Sequence, residues 1–277
     1  MSATRDPESV PSVDGMPMLG IGTWQNTDPQ QCADSVATAL ETGYRHVDTA
    51  QAYGNEAAVG EGLARAAVDR EDVFLATKVW IDNLAHDDVL RTARESLDNL
   101  GVDYVDLLYV HWPSRTYDPE DTLPAFDELH DDGAIRNVGV SNFPPEAVER
   151  AREVLDAPVF ANQVEMHPLL QQAELRAFAA ETDLNLVAYS PLARGAVFEV
   201  DVLSDVAEAH GVSEAQVSLA WLRRKGVTAI PKATSTAHIR DNFESLQVTL
   251  SDEEVERIDA IDRTDRQVHP SFAPDSW

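Results

Sequence analysis

The sequence predicts an α/β protein of the closed parallel (β/α)8 TIM-barrel class, with an N-terminal hairpin and two extra helices. Three observations predict it. Eight short apolar runs recur along the chain, at 18–23, 44–49, 73–79, 105–111, 135–140, 159–165, 184–189 and 227–232. Stretches with helical spacing separate them, at 31–42, 55–67, 87–100, 121–131, 145–155, 171–182, 213–224 and 236–246. The chain has 277 residues, 43% of them hydrophobic and 25% charged, which suits a barrel formed as one large domain with a solvated surface. Eight strands alternating with eight helices close most simply into a parallel barrel.

The elements can be justified in order. Residues 8–17 (ESVPSVDGMP) carry a turn at Asp14–Gly15 and read as a small hairpin plugging the barrel bottom. The strands MLGIGT, YRHVDT, VFLATKV and VDLLYVH follow, each succeeded by a helical pattern. In 91–100 the apolar Ala93, Leu97 and Leu100 recur at helical spacing, and Gly101 stands at the C-cap position. Residues 202–210 read as an additional helix in the long connection after the seventh strand. Residues 251–261 read as another, opened by a Ser-Asp-Glu-Glu cap. With no further repeat, low-complexity stretch or linker, residues 1–277 are expected to form a single domain.

Composition excludes several classes of function. Asp and Glu number 49 against 21 Lys and Arg, giving a formal charge of −28 that repels nucleic acid and acidic membranes. The acids are spread over the chain and arginine far outnumbers lysine. This points to a halophilic protein working in concentrated salt, where the screening length falls to about 3 Å at ~1 M. No apolar run approaches the roughly 18 residues of a membrane span, and the N-terminus does not resemble a signal peptide. The single Cys32 excludes an internal disulfide and suits a reducing, cytoplasmic location. No metal site is expected, because the histidines lack paired ligand spacing. The protein is expected to be a monomer.

The three lysines are the sharpest clue. Lys78 closes VFLATK and Lys232 closes VTAIPK, while Lys225 lies in the turn RRKG. Asp48, Lys78 and His111 stand at the C-terminal ends of the second, third and fourth strands, and Tyr53 follows the second. Barrels build active sites at that end. A phenol beside an ammonium is expected to have a lowered pKa, Asp48 would hold the ammonium, and His111 could orient a substrate oxygen. Such a set could protonate a carbonyl oxygen while hydride arrives at the carbon. Taken singly, each residue has a plain structural reading: a cap, a packed ring, a core histidine. Their joint placement favours chemistry. No lysine follows glycine, none has tyrosine four residues before it, and Gly20 and Gly22 are followed by Gln25 rather than a third glycine. The common phosphate-loop, Tyr-x-x-x-Lys and dinucleotide-fold motifs are therefore absent.

Eight segments in order carry a resemblance: GIGTWQ, GYRHVDTAQAYGNE, TKVW, YVHWP, GVSNF, NQVEMHP, YSPLARG and IPKATS. Across residues 12–270 the chain resembles the aldo-keto reductases, particularly small prokaryotic members of the diketogluconate and glyoxal reductase type. The resemblance implies NAD(P)H-dependent reduction of a small aldehyde or ketone, with Tyr53 as general acid, Lys78 and Asp48 tuning it and His111 orienting the carbonyl. It assigns Ser141, Asn142 and Gln163 to the nicotinamide carboxamide, Tyr189 to its ring, and Ser190 and Leu192 to the pyrophosphate. Lys232 matches the 2′-phosphate contact and Asn242 the adenine contact. Two departures, Ala233 for a serine and His238 for an arginine, leave NADPH as the expected cofactor with NADH as an alternative. Ala193 stands where a glycine is common. Trp24, Trp80 and Trp112 fall on the same rim, and a tail with Phe272 and Trp277 could fold over it, favouring a compact, partly apolar carbonyl substrate. Two other functions compete: a Schiff-base lyase or aldolase using Lys78 as nucleophile, and a cofactor-binding sensor with vestigial activity.

Overall fold

The described part of the chain, in a computed structural model, is residues 10–274. The hairpin comes first: β1 (Ser12–Val13) pairs antiparallel with β2 (Met16–Pro17). Asp14 and Gly15 between them both have positive φ, 48° and 82°, as a two-residue turn of this hand requires. Residues 8 and 9 of the expected hairpin lie outside the described residues, as does Trp277 of the expected tail.

Eight parallel strands follow: β3 (Ile21–Gly22), β4 (His46–Asp48), β5 (Phe74–Val79), β6 (Leu107–Val110), β7 (Val138–Ser141), β8 (Val159–Glu165), β9 (Asn185–Tyr189) and β10 (Thr228–Ala229). Each pairs with the next in sequence. Bridges from Leu19 to Ala229 and from Gly22 to Lys232 join the last strand to the first. Hydrogen bonds from Gly20 N to Ala229 O (2.9 Å) and from Gly22 N to Pro231 O (3.1 Å) complete the closure. This matches the predicted (β/α)8 barrel. Several strands are shorter than their apolar runs, because stagger around the barrel leaves run ends paired only through single bridges such as Val105 to Ile135. Gly22 has a steric reason to be glycine: a Cβ there would lie 2.7 Å from the Ile230 carbonyl oxygen.

The helices are α1 (Pro29–Thr42), α2 (Glu56–Arg65), α3 (His86–Leu100), α4 (Pro119–Asp131), α5 (Pro145–Val154), α6 (Ala173–Glu181), α7 (Asp201–His210), α8 (Glu214–Arg224), α9 (Thr236–Glu244) and α10 (Asp252–Asp259). Local chemistry sets their ends. The Asp28 side chain accepts from Gln31 N, with Pro29 opening α1. Ser213 and Ser235 cap α8 and α9 in the same way, and Ser251 with Glu254 forms a full capping box on α10. Gly101, at φ 66°, ends α3 as its position suggested. Both extra helices, α7 and α10, are present.

Two apolar layers result. Leu75, Leu108, Val138 and Val164 pack outward against the helices. Ala76, Leu107, Tyr109, Ala161, Val187 and Ile230 fill the barrel interior, and Met16 of the hairpin enters that inner cluster from below. The plug therefore closes one end, and the polar strand ends are left to the other. Among the described residues no helix is long and apolar enough to cross a membrane.

Candidate active site

Strand register brings the four chemical side chains together. Asp48 ends β4 opposite Ala76 of β5, and Lys78 stands two residues beyond Ala76. Lys78 in turn pairs with Tyr109 of β6, and His111 lies two residues past that. Since side chains alternate along a strand, each step of two keeps the barrel-facing side and climbs towards the rim. Tyr53 arrives from a single 3-10 turn, Gln51–Tyr53, ended by Gly54 at φ 63°.

Lys78 Nζ donates to Asp48 Oδ1 at 2.5 Å, to the Thr49 carbonyl at 2.9 Å and to Tyr53 Oη at 3.4 Å. Three acceptors match the three protons of an ammonium. The pair is wholly buried, at 0% exposure for the Lys78 side chain and 2% for Asp48. Removing one partner of such a pair costs about 3–5 kcal/mol, because the other is left as an uncompensated buried charge. Gln163 Nε2 holds the second Asp48 oxygen at 2.8 Å. Ser141 Oγ donates to the Gln163 carbonyl (2.8 Å), and Asn142 Nδ2 donates to the His111 carbonyl and to Ser141 Oγ (3.0 Å each). Tyr189 Oη donates to Asn142 Oδ1 at 2.9 Å. Asn142, at φ 64°, holds the left-handed conformation that asparagine tolerates best after glycine.

The electrostatics correct one expectation. Burial and the Asp48 carboxylate push the Tyr53 phenol well above its ordinary pKa, rather than Lys78 drawing it down. The Lys78 ammonium is bound to the same carboxylate, 2.5 Å away, and burial is the larger cause of the rise. Burial draws the Lys78 ammonium down while Asp48 and Glu56 draw it up. Burial and the Lys78 charge hold His111 well below 6.5, as a neutral imidazole. Its Nδ1 is buried without a partner. A buried N–H without an acceptor is the costlier arrangement, so the proton belongs on Nε2, towards the cavity.

A cavity of about 850 Å³ opens over this set. Asp48, Tyr53, His111, Ser141, Asn142, Gln163, Tyr189, Ser190, Leu192 and Lys232 of the expected site line it, with Trp24, Trp80 and Trp112. Lys78 stands beneath the lining, and Asn242 is buried on α9 outside it. His238 of α9 also lines the cavity. Ala193, at φ 47°, occupies a left-handed position that explains why glycine suits it.

Arg194, which the sequence left between a cofactor phosphate and open solvent, lines the cavity, and its guanidinium lies 4.6 Å from the Trp24 ring centroid, joining the loops after β9 and β3. Other lining residues escaped sequence reasoning. Val268 and Pro270 come from the C-terminal segment, and only Phe272 of that wall was foreseen. Irregular segments carry no periodicity, so no sequence signal marked them.

The depressed His111 gives a pH prediction. Its unfolded value is near the ordinary 6.5 and its folded value lies well below. As pH falls below about 6.5 the unfolded chain binds a proton that the folded chain resists, so stability present at higher pH is lost. His46, buried at the other end of the barrel, shifts the same way. Between about pH 7.5 and about pH 5, the urea midpoint of a His111→Asn variant should fall less than that of the parent. Equal falls would show that His111 is not held neutral.

Comparison with known proteins adds to this geometry. The family model described as "Aldo/keto reductase family" matches residues 18–263. An aldo-keto reductase of Mycobacterium sp. (strain JLS) is 40% identical over 256 residues, covering 91% of each chain. A glyoxal reductase of Bacillus subtilis (strain 168) is 37% identical over 251 residues, again covering 91% of each. A crystal structure of an aldo/keto reductase from Brucella melitensis matches with a TM-score of 0.86 at 37% identity, covering 91% of this chain and 100% of that one.

Proposed function

The chain belongs to the aldo/keto reductase family of carbonyl-reducing oxidoreductases, and from that premise we propose that it reduces a small, uncharged aldehyde or ketone to the alcohol, with Tyr53 as proton donor and NADPH as the expected reductant. One observation carries the cofactor reading. In a chain of charge −28, the cavity lining among the described residues holds Lys232 and Arg194 against a single acid, Asp48, which is already paired with Lys78. The cavity thus combines neutral, hydrogen-bonding groups around Tyr53 with cationic groups suited to phosphates.

The residues present fit a nicotinamide dinucleotide. Ser141, Asn142 and Gln163 are locked by hydrogen bonds to one another and to Asp48, yet keep free acceptor capacity for a carboxamide. The Tyr189 ring is pinned through its hydroxyl to Asn142, which leaves its face for the nicotinamide. Ser190 and Leu192 would meet the pyrophosphate and Lys232 the 2′-phosphate; Asn242 and His238, both on α9, would meet the adenine. When bound, the reduced nicotinamide supplies hydride to the carbonyl carbon.

The protein's own groups supply the rest. The raised phenol keeps Tyr53 protonated at neutral pH, the state an acid needs. Lys78, at 3.4 Å, stabilises the phenolate as the proton leaves. His111 Nε2–H fixes the carbonyl oxygen for that transfer. Trp80, Trp112 and Phe272 form an apolar box at this end, favouring an uncharged carbonyl compound such as a small dicarbonyl. The Schiff-base alternative is disfavoured, because Lys78 spends its three donors on internal acceptors and does not reach the lining.

Tyr53→Phe should retain cofactor binding and lose turnover by ~10²-fold or more, the scale of a positioned acid. Turnover within a few-fold of the parent, measured with a glyoxal-type substrate, would remove Tyr53 from the mechanism. For the cofactor, Lys232→Ala should raise the Kd of NADPH more than that of NADH, because only NADPH carries the 2′-phosphate. Equal weakening would show that this lysine does not read the phosphate.

The acidic composition suits a protein adapted to salt. Repulsion among 49 acids, offset by 21 bases, destabilises the compact state, and added salt screens it. The melting temperature should climb steadily with KCl up to ~2 M while activity persists, since a buried pair such as Asp48–Lys78 is screened far less than surface charges. A flat melting profile or a collapse of activity in brine would overturn the halophilic reading.

A further inference from the structure

Glu165 is a buried carboxylate that the proposed chemistry leaves idle. It ends β8, two residues beyond Gln163 on the same strand, and it is 0% exposed. A charge in such a place is retained only where donors replace water, and here the donors come from the C-terminal segment. Glu165 Oε1 accepts from the backbone N–H of Gln267 at 2.6 Å and from His167 Nε2 at 2.9 Å. Its Oε2 accepts from the backbone N–H of Val268 at 2.9 Å.

That segment has no structure of its own to hold it. From Ile261 to Pro270 it forms neither helix nor strand. Its path depends on a few ties: Asp265 N to the Leu169 carbonyl (2.8 Å), the two N–H groups on Glu165, and Ser114 Oγ donating to the Phe272 carbonyl (2.6 Å). Between the last two ties, Val268, Pro270 and Phe272 line the cavity. Phe272 seats edge-on against Trp80, at 5.5 Å, and Trp112, at 5.6 Å. Trp80 in turn packs edge-on against His111 at 5.2 Å. The two N–H groups on Glu165 meet a carboxylate, and charge-assisted hydrogen bonds are the strong ones.

We propose that Glu165 is a positioning residue that sets substrate selectivity: its carboxylate clamps the C-terminal segment so that Phe272 completes the apolar box over Tyr53 and His111. The proposal rests on the reading of the cavity as a carbonyl-reducing site. Loosening the clamp would open the box and weaken the hold on a small carbonyl, while the proton-donating set, tied to other strands, stays in place.

The test uses the full chain with Glu165→Gln, which keeps the shape and replaces one acceptor oxygen by a donor facing an N–H. KM for glyoxal should rise roughly tenfold with kcat nearly unchanged, the signature of lost binding rather than lost chemistry. Hydrogen exchange at the Gln267 and Val268 amides should accelerate. Phe272→Ala should raise KM similarly, and the double variant should do little more than either single one, because both act through one wall. Should Glu165→Gln fail to fold, Gln267→Pro removes one clamped N–H and should give the same KM rise and faster exchange at Val268. Unaltered exchange would overturn the clamp. Faster exchange with an unaltered KM, additive KM effects, or a fall in kcat alone would overturn the role in selectivity. A parent protein inert towards carbonyls with either cofactor would overturn the cavity reading and the selectivity claim together, an outcome distinct from an active parent with unmoved KM.

Discussion

The buried Asp48–Lys78 pair is the constraint on which the upper half of the barrel depends. An ion pair shut away from water is tolerable only when every remaining donor and acceptor is met. Here Thr49 and Tyr53 take the other lysine protons, and Gln163, from the far side of the barrel, takes the second carboxylate oxygen. The pair therefore ties β4, β5 and β8 together across the interior. It also decides the protonation of its neighbours. Burial, with the Asp48 charge added to it, keeps Tyr53 a phenol, while burial and the Lys78 charge keep His111 an imidazole. Each partner of the pair thus holds one neighbour in its neutral form.

A second tier rises from the first. Ser141 bonds to the Gln163 backbone, Asn142 bonds to Ser141 and His111, and Tyr189 bonds to Asn142. The series runs rim to rim through single hydrogen bonds, so a shift in any member is felt by the next. Glu165 continues the strand of Gln163 upward and binds a segment far away in sequence. One strand, β8, therefore links the ion pair below to the wall of the cavity above. The left-handed backbone at Asn142, Ser190, Ala193 and Arg194 belongs to the same rim. Such conformations persist only where surroundings impose them, and they gather at functional sites.

Surface and site obey opposite rules. The exterior carries its acids against arginines in exposed pairs such as Arg91 with Asp88 and Glu95, each worth little on its own. The cavity reverses the balance: among the described lining residues Lys232 and Arg194 face one acid, Asp48, which is already paired.

What the sequence determined by itself was whatever depends on local pattern. Eight apolar runs and eight helical stretches named the barrel, the Ser-Asp-Glu-Glu cap named the start of α10, Gly101 named the end of α3, and Asp14–Gly15 named the hairpin turn. The grouping of Asp48, Tyr53, Lys78 and His111 was legible because strand ends are, and because barrel side chains alternate with a fixed period. The tertiary structure decided the rest. Only the fold buries the Tyr53 hydroxyl and sets the Asp48 charge against it, which reversed the expected shift. Only the fold leaves Asn242 outside the cavity lining. Glu165 sat in plain view inside a quoted motif without a role, since its partners are two backbone N–H groups about a hundred residues away. Backbone amides look alike in every sequence, so contacts made through them become visible only when the chain is folded.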